Sequence, residues 1–247
     1  MFSSQGPSLR ELAVQALSSV ERGYDLLAPK FDHTPFRTSD AVLDATAEAL
    51  RPLGPFGRGL DVCCGTGAGM RTLGAVCRER IAGVDFSAGM LAEAREAHPD
   101  AELVRADVRS LSLAAEFDLA VTFGALGHLL PAERPAVFTG VHRALRPGGL
   151  FAFPLGGPLP ITSPWYWALL GFDAVMRVRN AVWRPPFVMY YRTCPLGAVT
   201  KDLAEAGFSV TTVPLTALGR RDDGTPRARL VLARKPGGSS AADSPEE

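Results

Sequence analysis

The sequence predicts an α/β fold: a mainly parallel sheet with helices on both faces and a ligand site at the carboxyl ends of the strands. Three observations carry this. From Arg58 onward, strand-type and helix-type segments alternate. At the first junction, the strand Gly59–Cys63 breaks into Gly65, Gly67 and Gly69 before a helix-compatible run from Met70. The next strand, Ile81–Val84, ends in Asp85.

Composition sets the outer bounds. The chain has 247 residues, 47% of them hydrophobic and 21% charged, which suits a globular protein with a sizeable core. Lys+Arg and Asp+Glu both number 26, so no global charge favours nucleic acid or an anionic membrane. Residues 1–10 show no secretory signal, and the aromatic run Trp165–Phe172 is too short to span a bilayer. The four cysteines (63, 64, 77 and 194) have no zinc-finger spacing. A cytoplasmic protein without a metal site is the expectation.

Residues 8–22 carry Leu9, Leu12, Ala13, Leu17 and Val20 at a helical period, and residues 39–50 repeat it behind an N-cap at Ser39 or Asp40. These form an N-terminal helical cap over residues 1–55. The segment between them, Gly23 to Arg37, either closes over a ligand or merely shields the sheet. The main domain is expected to span residues 56–234, and residues 235–247, with little to bury, are expected to be disordered.

The glycines at 65, 67 and 69 let the backbone approach a ligand that any Cβ would hold off. A dinucleotide fingerprint would need its third glycine at 70, where Met70 stands. Asp61 argues the same way. A carboxylate four residues ahead of the first glycine repels a pyrophosphate but suits an ammonium, which would also pair a costly buried charge. Asp85, at a strand end, is placed to take both hydroxyls of a ribose; a simple turn-forming role is the alternative.

Later elements follow in order. A helix opens at Ser87 and carries Met90, Leu91 and Ala94; then come strands at 101–105 and 117–123, with a helix at 131–145 between strands four and five. Strand five ends near Pro154. A helix from Leu196 stops at Gly207, and strands at 208–213 and 228–234 flank a loop holding Asp223-Gly224, a hairpin signal.

From about residue 56 to residue 234 the chain resembles the class I S-adenosylmethionine-dependent methyltransferases. The resemblance rests on Leu60-Asp61-Val62-Cys63-Cys64-Gly65-Thr66-Gly67-Ala68-Gly69, Asp85, Asp107-Val108, the Phe117-Asp118 strand and Leu145-Arg146-Pro147-Gly148-Gly149. It implies a Rossmann-like seven-stranded sheet of order 3-2-1-4-5-7-6 with strand seven antiparallel, and S-adenosylmethionine as cofactor. The implied cofactor contacts are Asp61, Cys63, Gly65, Thr66, Gly67, Asp85, Phe86, Met90, Asp107, Val108, Phe123 and Gly124. Phe86 and Met90 would pack on the base, and Asp107 would receive the adenine amino group. No Asn/Asp-Pro-Pro-Tyr/Phe signature follows strand four, which argues against nucleic-acid bases as acceptors. The Tyr24-Asp25 lead-in and the glycine turn are most like quinone-biosynthesis and natural-product members.

Residues 154–195 form an insertion holding Trp165, Trp167, Trp183, Tyr166, Tyr190 and Tyr191 with Arg177, Arg179, Arg184 and Arg192 against Asp173 alone. Ser163-Pro164 marks a helix start, so Trp165 to Arg179 should be helical. A substrate lid is expected, with Trp165, Trp167, Tyr190, Tyr191 and Arg192 facing an aromatic or lipophilic small molecule. A helix packed on its own domain and a dimer contact are the alternatives, leaving a monomer or a homodimer. His128 is the candidate general base, or else a histidine that braces its loop. Two other function classes share these features: a nicotinamide-dependent oxidoreductase, and a non-catalytic protein keeping the fold.

Overall fold

A computed structural model describes residues 6–157, 159–190 and 194–237. Seven strands form one sheet: β1 Gly59–Val62, β2 Ile81–Asp85, β3 Glu102–Arg105, β4 Phe117–Val121, β5 Leu145–Gly156, β6 Ser209–Pro214 and β7 Ala228–Arg234. Their order is β3-β2-β1-β4-β5-β7-β6, with β7 antiparallel to both neighbours and the other pairings parallel. The order reverses between β1 and β4, the place where α/β sheets open a crevice for ligands.

Both faces are covered, and strand periodicity assigns each side chain to one of them. Leu60, Val62, Phe151, Phe153, Val231 and Ala233 pack with Val137, Phe138 and Val141 of α6 (Arg134–Ala144) and Val199 and Leu203 of α8 (Leu196–Glu205). Leu119, Val121, Leu150, Ala152, Leu230 and Leu232 pack with Ala45 and Leu50 of α3 (Asp40–Leu50) and Leu73 of α4 (Ala68–Val76). α3 thus shares the sheet's core, and the Thr72 hydroxyl donates to the Leu43 carbonyl at 3.2 Å to join α3 to α4. α5 (Ala88–Ala97) adds Leu91 to a small cluster with Cys64 and Met70.

Several boundaries differ from expectation. The helix expected over 8–22 is two helices, α1 Leu9–Leu17 and α2 Val20–Leu27. Ser19 interrupts it because its hydroxyl accepts from the Arg22 N–H and caps a new helix. A 3₁₀ turn, Ala28–His33, continues from α2. α6 begins at Arg134, not at 131, because the Glu133 carboxylate accepts from the Leu130 N–H and closes a turn ahead of it. β5 begins at Leu145, which pairs with Phe117 before the register shifts, and it runs past Pro154 to Gly156. The β6–β7 connection is longer than a tight hairpin: a 3₁₀ turn at Thr216–Leu218 precedes a small ladder closed around Asp223-Gly224, with Gly224 at φ 78°. The insertion helix, α7, runs Pro164–Val182, three residues past Arg179.

Candidate active site

A cavity of about 1040 Å³ opens at the carboxyl ends of β1, β2 and β4. That is the upper end of the range for a site holding one drug-sized ligand, so it can hold a nucleoside cofactor together with a second molecule. Its lining includes the polar Asp61, Thr66, Asp85 and Asp107 with the glycine turn, and the apolar Leu126, Leu129, Phe153, Leu155, Val188 and Met189.

The glycine turn has the geometry its sequence requires. Gly65 and Gly67 sit at φ 53° and 93°, where an L side chain is strained, and Cys63 adopts φ 59°. The Gly65 N–H donates to Asp85 Oδ2 at 2.9 Å and the Ser87 N–H to Oδ1 at 2.9 Å. Asp85 therefore ties the β1 turn to the start of α5. Burial raises its carboxyl above the usual range, and these backbone donors pull the other way.

Asp61 is different. It is 1% exposed, and its Oδ2 has no hydrogen-bond partner. Burial first, and the Asp85 charge second, push it well above the usual carboxylate range. A buried acceptor of this kind calls for a cation at the cavity wall. Gly69, in the first turn of α4, carries no side chain because a Cβ there would overlap the Asp61 carboxylate. The orphaned carboxylate and the open turn beside Gly65, where a Cβ meets nothing, fit an amino-acid ammonium on a nucleoside ligand.

The cap contributes groups that sequence reasoning passed over. Asp25 Oδ1 accepts from the Ser87 hydroxyl at 2.6 Å and from the Gly89 N–H at 2.9 Å, so it caps α5 from outside. Asp32 Oδ1 accepts from the Thr66 hydroxyl at 2.7 Å. Tyr24, Phe31 and Phe36 line the cavity. Tyr24-Asp25 was the available signal for part of this; nothing in the local pattern marked Asp32.

His128 follows β4 on a 3₁₀ turn, Ala125–His128, opened by Gly124 at φ 72°. Its Nδ1 lies 2.8 Å from the Val188 carbonyl and its Nε2 lies 2.7 Å from the Tyr24 hydroxyl. Burial lowers its pKa, so the neutral ring is favoured, with Nδ1–H donating to Val188 and Nε2 accepting from Tyr24. The imidazole thus joins the cap, the β4 loop and the segment after α7. That segment, residues 186–190, is a strap: the Tyr190 N–H donates to the Gly127 carbonyl at 2.8 Å, and the Asn180 side chain donates to the Phe187 carbonyl and accepts from its N–H.

Of the expected cofactor contacts, Asp61, Cys63, Gly65, Thr66, Asp85, Phe86, Met90, Asp107, Val108, Phe123 and Gly124 all line the cavity. Gly67 does not: it backs onto the His98 ring, and its role is the left-handed turn. Of the expected lid residues, Tyr190 lines the cavity, whereas Trp165 and Trp167 do not and are 70% and 61% exposed. The reason is that the strap, rather than α7 itself, covers the cavity. Tyr191 and Arg192 lie outside the described residues. Two other arginines of the insertion are engaged within the protein: Arg177 lies over the Tyr190 ring at 4.6 Å, and Arg179 donates to the Pro185 and Ser18 carbonyls.

Residues 60–149 match the family described as a methyltransferase domain. An uncharacterized methyltransferase of Synechocystis sp. is 37% identical over 101 residues, 40% of this chain and 47% of the relative. The dTDP-3-amino-3,6-dideoxy-alpha-D-glucopyranose N,N-dimethyltransferase of Streptomyces fradiae is 47% identical over 72 residues, 28% of each chain. The chain thus spans less than half the length of these curated relatives. Among solved structures, a DhpI–SAH complex aligns over 94% of this chain and 100% of its own with TM-score 0.64 at 20% identity, a likeness of fold. A doubly wound sheet of this order, with its last strand antiparallel, is the class I methyltransferase fold. Over residues 60–149 the chain thus matches a methyltransferase domain, and its fold is that of solved methyltransferase structures recorded with S-adenosylmethionine or S-adenosylhomocysteine.

Proposed function

We propose that this protein moves a methyl group from S-adenosylmethionine to a small, largely apolar acceptor. The observation that carries the reading is the orphaned, buried carboxylate of Asp61 beside a glycine turn in a cavity lined by both acids and apolar side chains. Asp61 would hold the amino-acid ammonium, Asp85 the ribose and Asp107 with the Val108 N–H the adenine edge, while Phe86 and Met90 pack on the base. When bound, the cofactor supplies a methyl on a sulfonium, an electrophile that already carries its leaving group.

The rest falls to positioning. Phe123 and Gly124 flank the cavity at the end of β4, and the strap 186–190 serves as the lid that excludes water. The charged side chains at the rim are already matched, Arg105 with Glu21 and Arg109 with Asp107 and Glu133, which favours an acceptor without strong charge. His128 braces the cap and the strap through both ring nitrogens, and a proton leaving the acceptor could pass to the Tyr24 oxygen as the Tyr24 proton moves to His128 Nε2, which would then hold it. Asp61 also disfavours the pyrophosphate of a nicotinamide cofactor.

Calorimetry with S-adenosylhomocysteine and with NAD tests the reading. Saturation at ~100 times the dissociation constant should add about 2.7 kcal/mol of stability with the thioether and little with NAD. Binding of NAD alone would overturn it.

A further inference from the structure

α7 presents an apolar face to solvent. Asp173 and Met176 are its buried residues. On the opposite side Trp167, Gly171, Val175, Val178 and Val182 succeed one another at three- and four-residue spacing, and all are exposed, Val182 to 80%. No charged residue stands on that line. The helix's exposed or half-exposed charges, Arg177 and Arg179, fall to either side of it, and Arg184 follows its end, while its one acid, Asp173, is buried. Trp165 and Trp183 mark its two ends at 70% and 51% exposed.

We infer that α7 docks flat on an anionic lipid surface. An apolar face carrying Trp167, with arginines at its edges, is the pattern of a helix lying in the headgroup boundary. A second copy of this chain fits less well. A two-fold pairing of α7 would bring its arginines against a face whose only carboxylate is buried, whereas an anionic bilayer supplies the missing charge. α7 lies on the bilayer and does not cross it: among the described residues no helix is long and apolar enough to span a membrane. The strap that lines the cavity starts four residues past the end of α7, so docking sets the cavity wall beside the lipid. The inference stands on α7 alone and not on the methyl-transfer reading.

The chain's three tryptophans, Trp165, Trp167 and Trp183, all lie on or next to α7, and Trp167 stands on the apolar line itself, so intrinsic fluorescence reports on this helix. Vesicles of phosphatidylglycerol and phosphatidylcholine in equal parts should shift the emission of the full chain to the blue, and brominated acyl chains should quench it. Pure phosphatidylcholine should do much less, and Arg184→Gln should weaken partitioning about fivefold, the equivalent of ~1 kcal/mol per basic residue at an anionic surface. Val175→Glu with Val178→Glu should abolish binding while leaving the melting temperature and S-adenosylhomocysteine affinity unchanged. Should that double variant fold poorly, wild-type quenching by brominated lipid still decides. Unchanged emission with anionic vesicles overturns the inference, as does a concentration-dependent dimer that the double variant removes in the absence of any vesicle binding. Loss of S-adenosylhomocysteine binding in solution would count against the methyl-transfer reading and leave lipid docking untouched.

Discussion

Gly69 leaves open the space that the Asp61 carboxylate occupies: a Cβ at 69 would overlap Asp61 Oδ2. The third glycine of the turn therefore serves the acid two strand positions before Cys63, and not the ligand directly. Gly69→Ala should displace that carboxylate, cost about 1–3 kcal/mol as an overpacked site, and weaken S-adenosylhomocysteine binding. Retained affinity by calorimetry would show that Asp61 does not contact the ligand.

Asp61 itself sets a pH dependence. Its folded pKa is raised above the unfolded value of about 3.9, so its contribution to stability is complete below that value and is lost as pH rises through the folded pKa. Asp61→Asn removes the titration. Without ligand the variant should be more stable than wild type at neutral pH, by about 1–3 kcal/mol, and the gap should close toward pH 4. With S-adenosylhomocysteine the order should reverse. Thermal melts across pH with and without ligand check both signs.

Asp85→Asn tests the second acid. Both its oxygens already accept backbone N–H groups, from Gly65 and Ser87. The variant should therefore lose stability as well as affinity, about 1.5–3 kcal/mol for a hydrogen bond to a charged group. An affinity loss with an unchanged melting temperature would mean the turn is held without it.

Tyr24 and His128 separate bracing from proton transfer. Tyr24→Phe removes the 2.7 Å contact yet keeps the ring. As the relay that hands the proton to His128, Tyr24 should cost roughly 10²–10⁴-fold in kcat on replacement, with cofactor affinity kept. His128→Gln should lower kcat to a similar extent and, in addition, lower the melting temperature and cofactor affinity, because the Val188 strap is released. A His128→Gln variant that loses stability but keeps its kcat at saturating cofactor would leave the imidazole a brace alone.

The sheet was legible because its inner strands β1, β2 and β4 are buried apolar runs bounded by a helix or a glycine, and β7 matched to the residue. The site acids were legible at strand ends, where topology fixes position regardless of side-chain packing. Tertiary contacts were not. Ser19 splits the first helix by a cap that periodicity hides, and Asp25 and Asp32 reach across more than thirty residues to bond Ser87 and Thr66. Trp165 and Trp167 have lid-like chemistry, but the fold gives that place to Val188, Met189 and Tyr190. Asn180, which positions that strap through the Phe187 backbone, has no local signature at all.

Asp25 and Asp32 also bear on turnover. They fasten the N-terminal cap to Gly89 in the first turn of α5 and to Thr66 in the glycine turn, while Tyr24 and Phe31 from the same cap wall the cavity. If the cofactor leaves past that wall, two carboxylate latches must release first. Its exchange should then be timed by the cap, and Asp25→Ala with Asp32→Ala should quicken dissociation, measured by stopped flow, far more than it changes the rate of association.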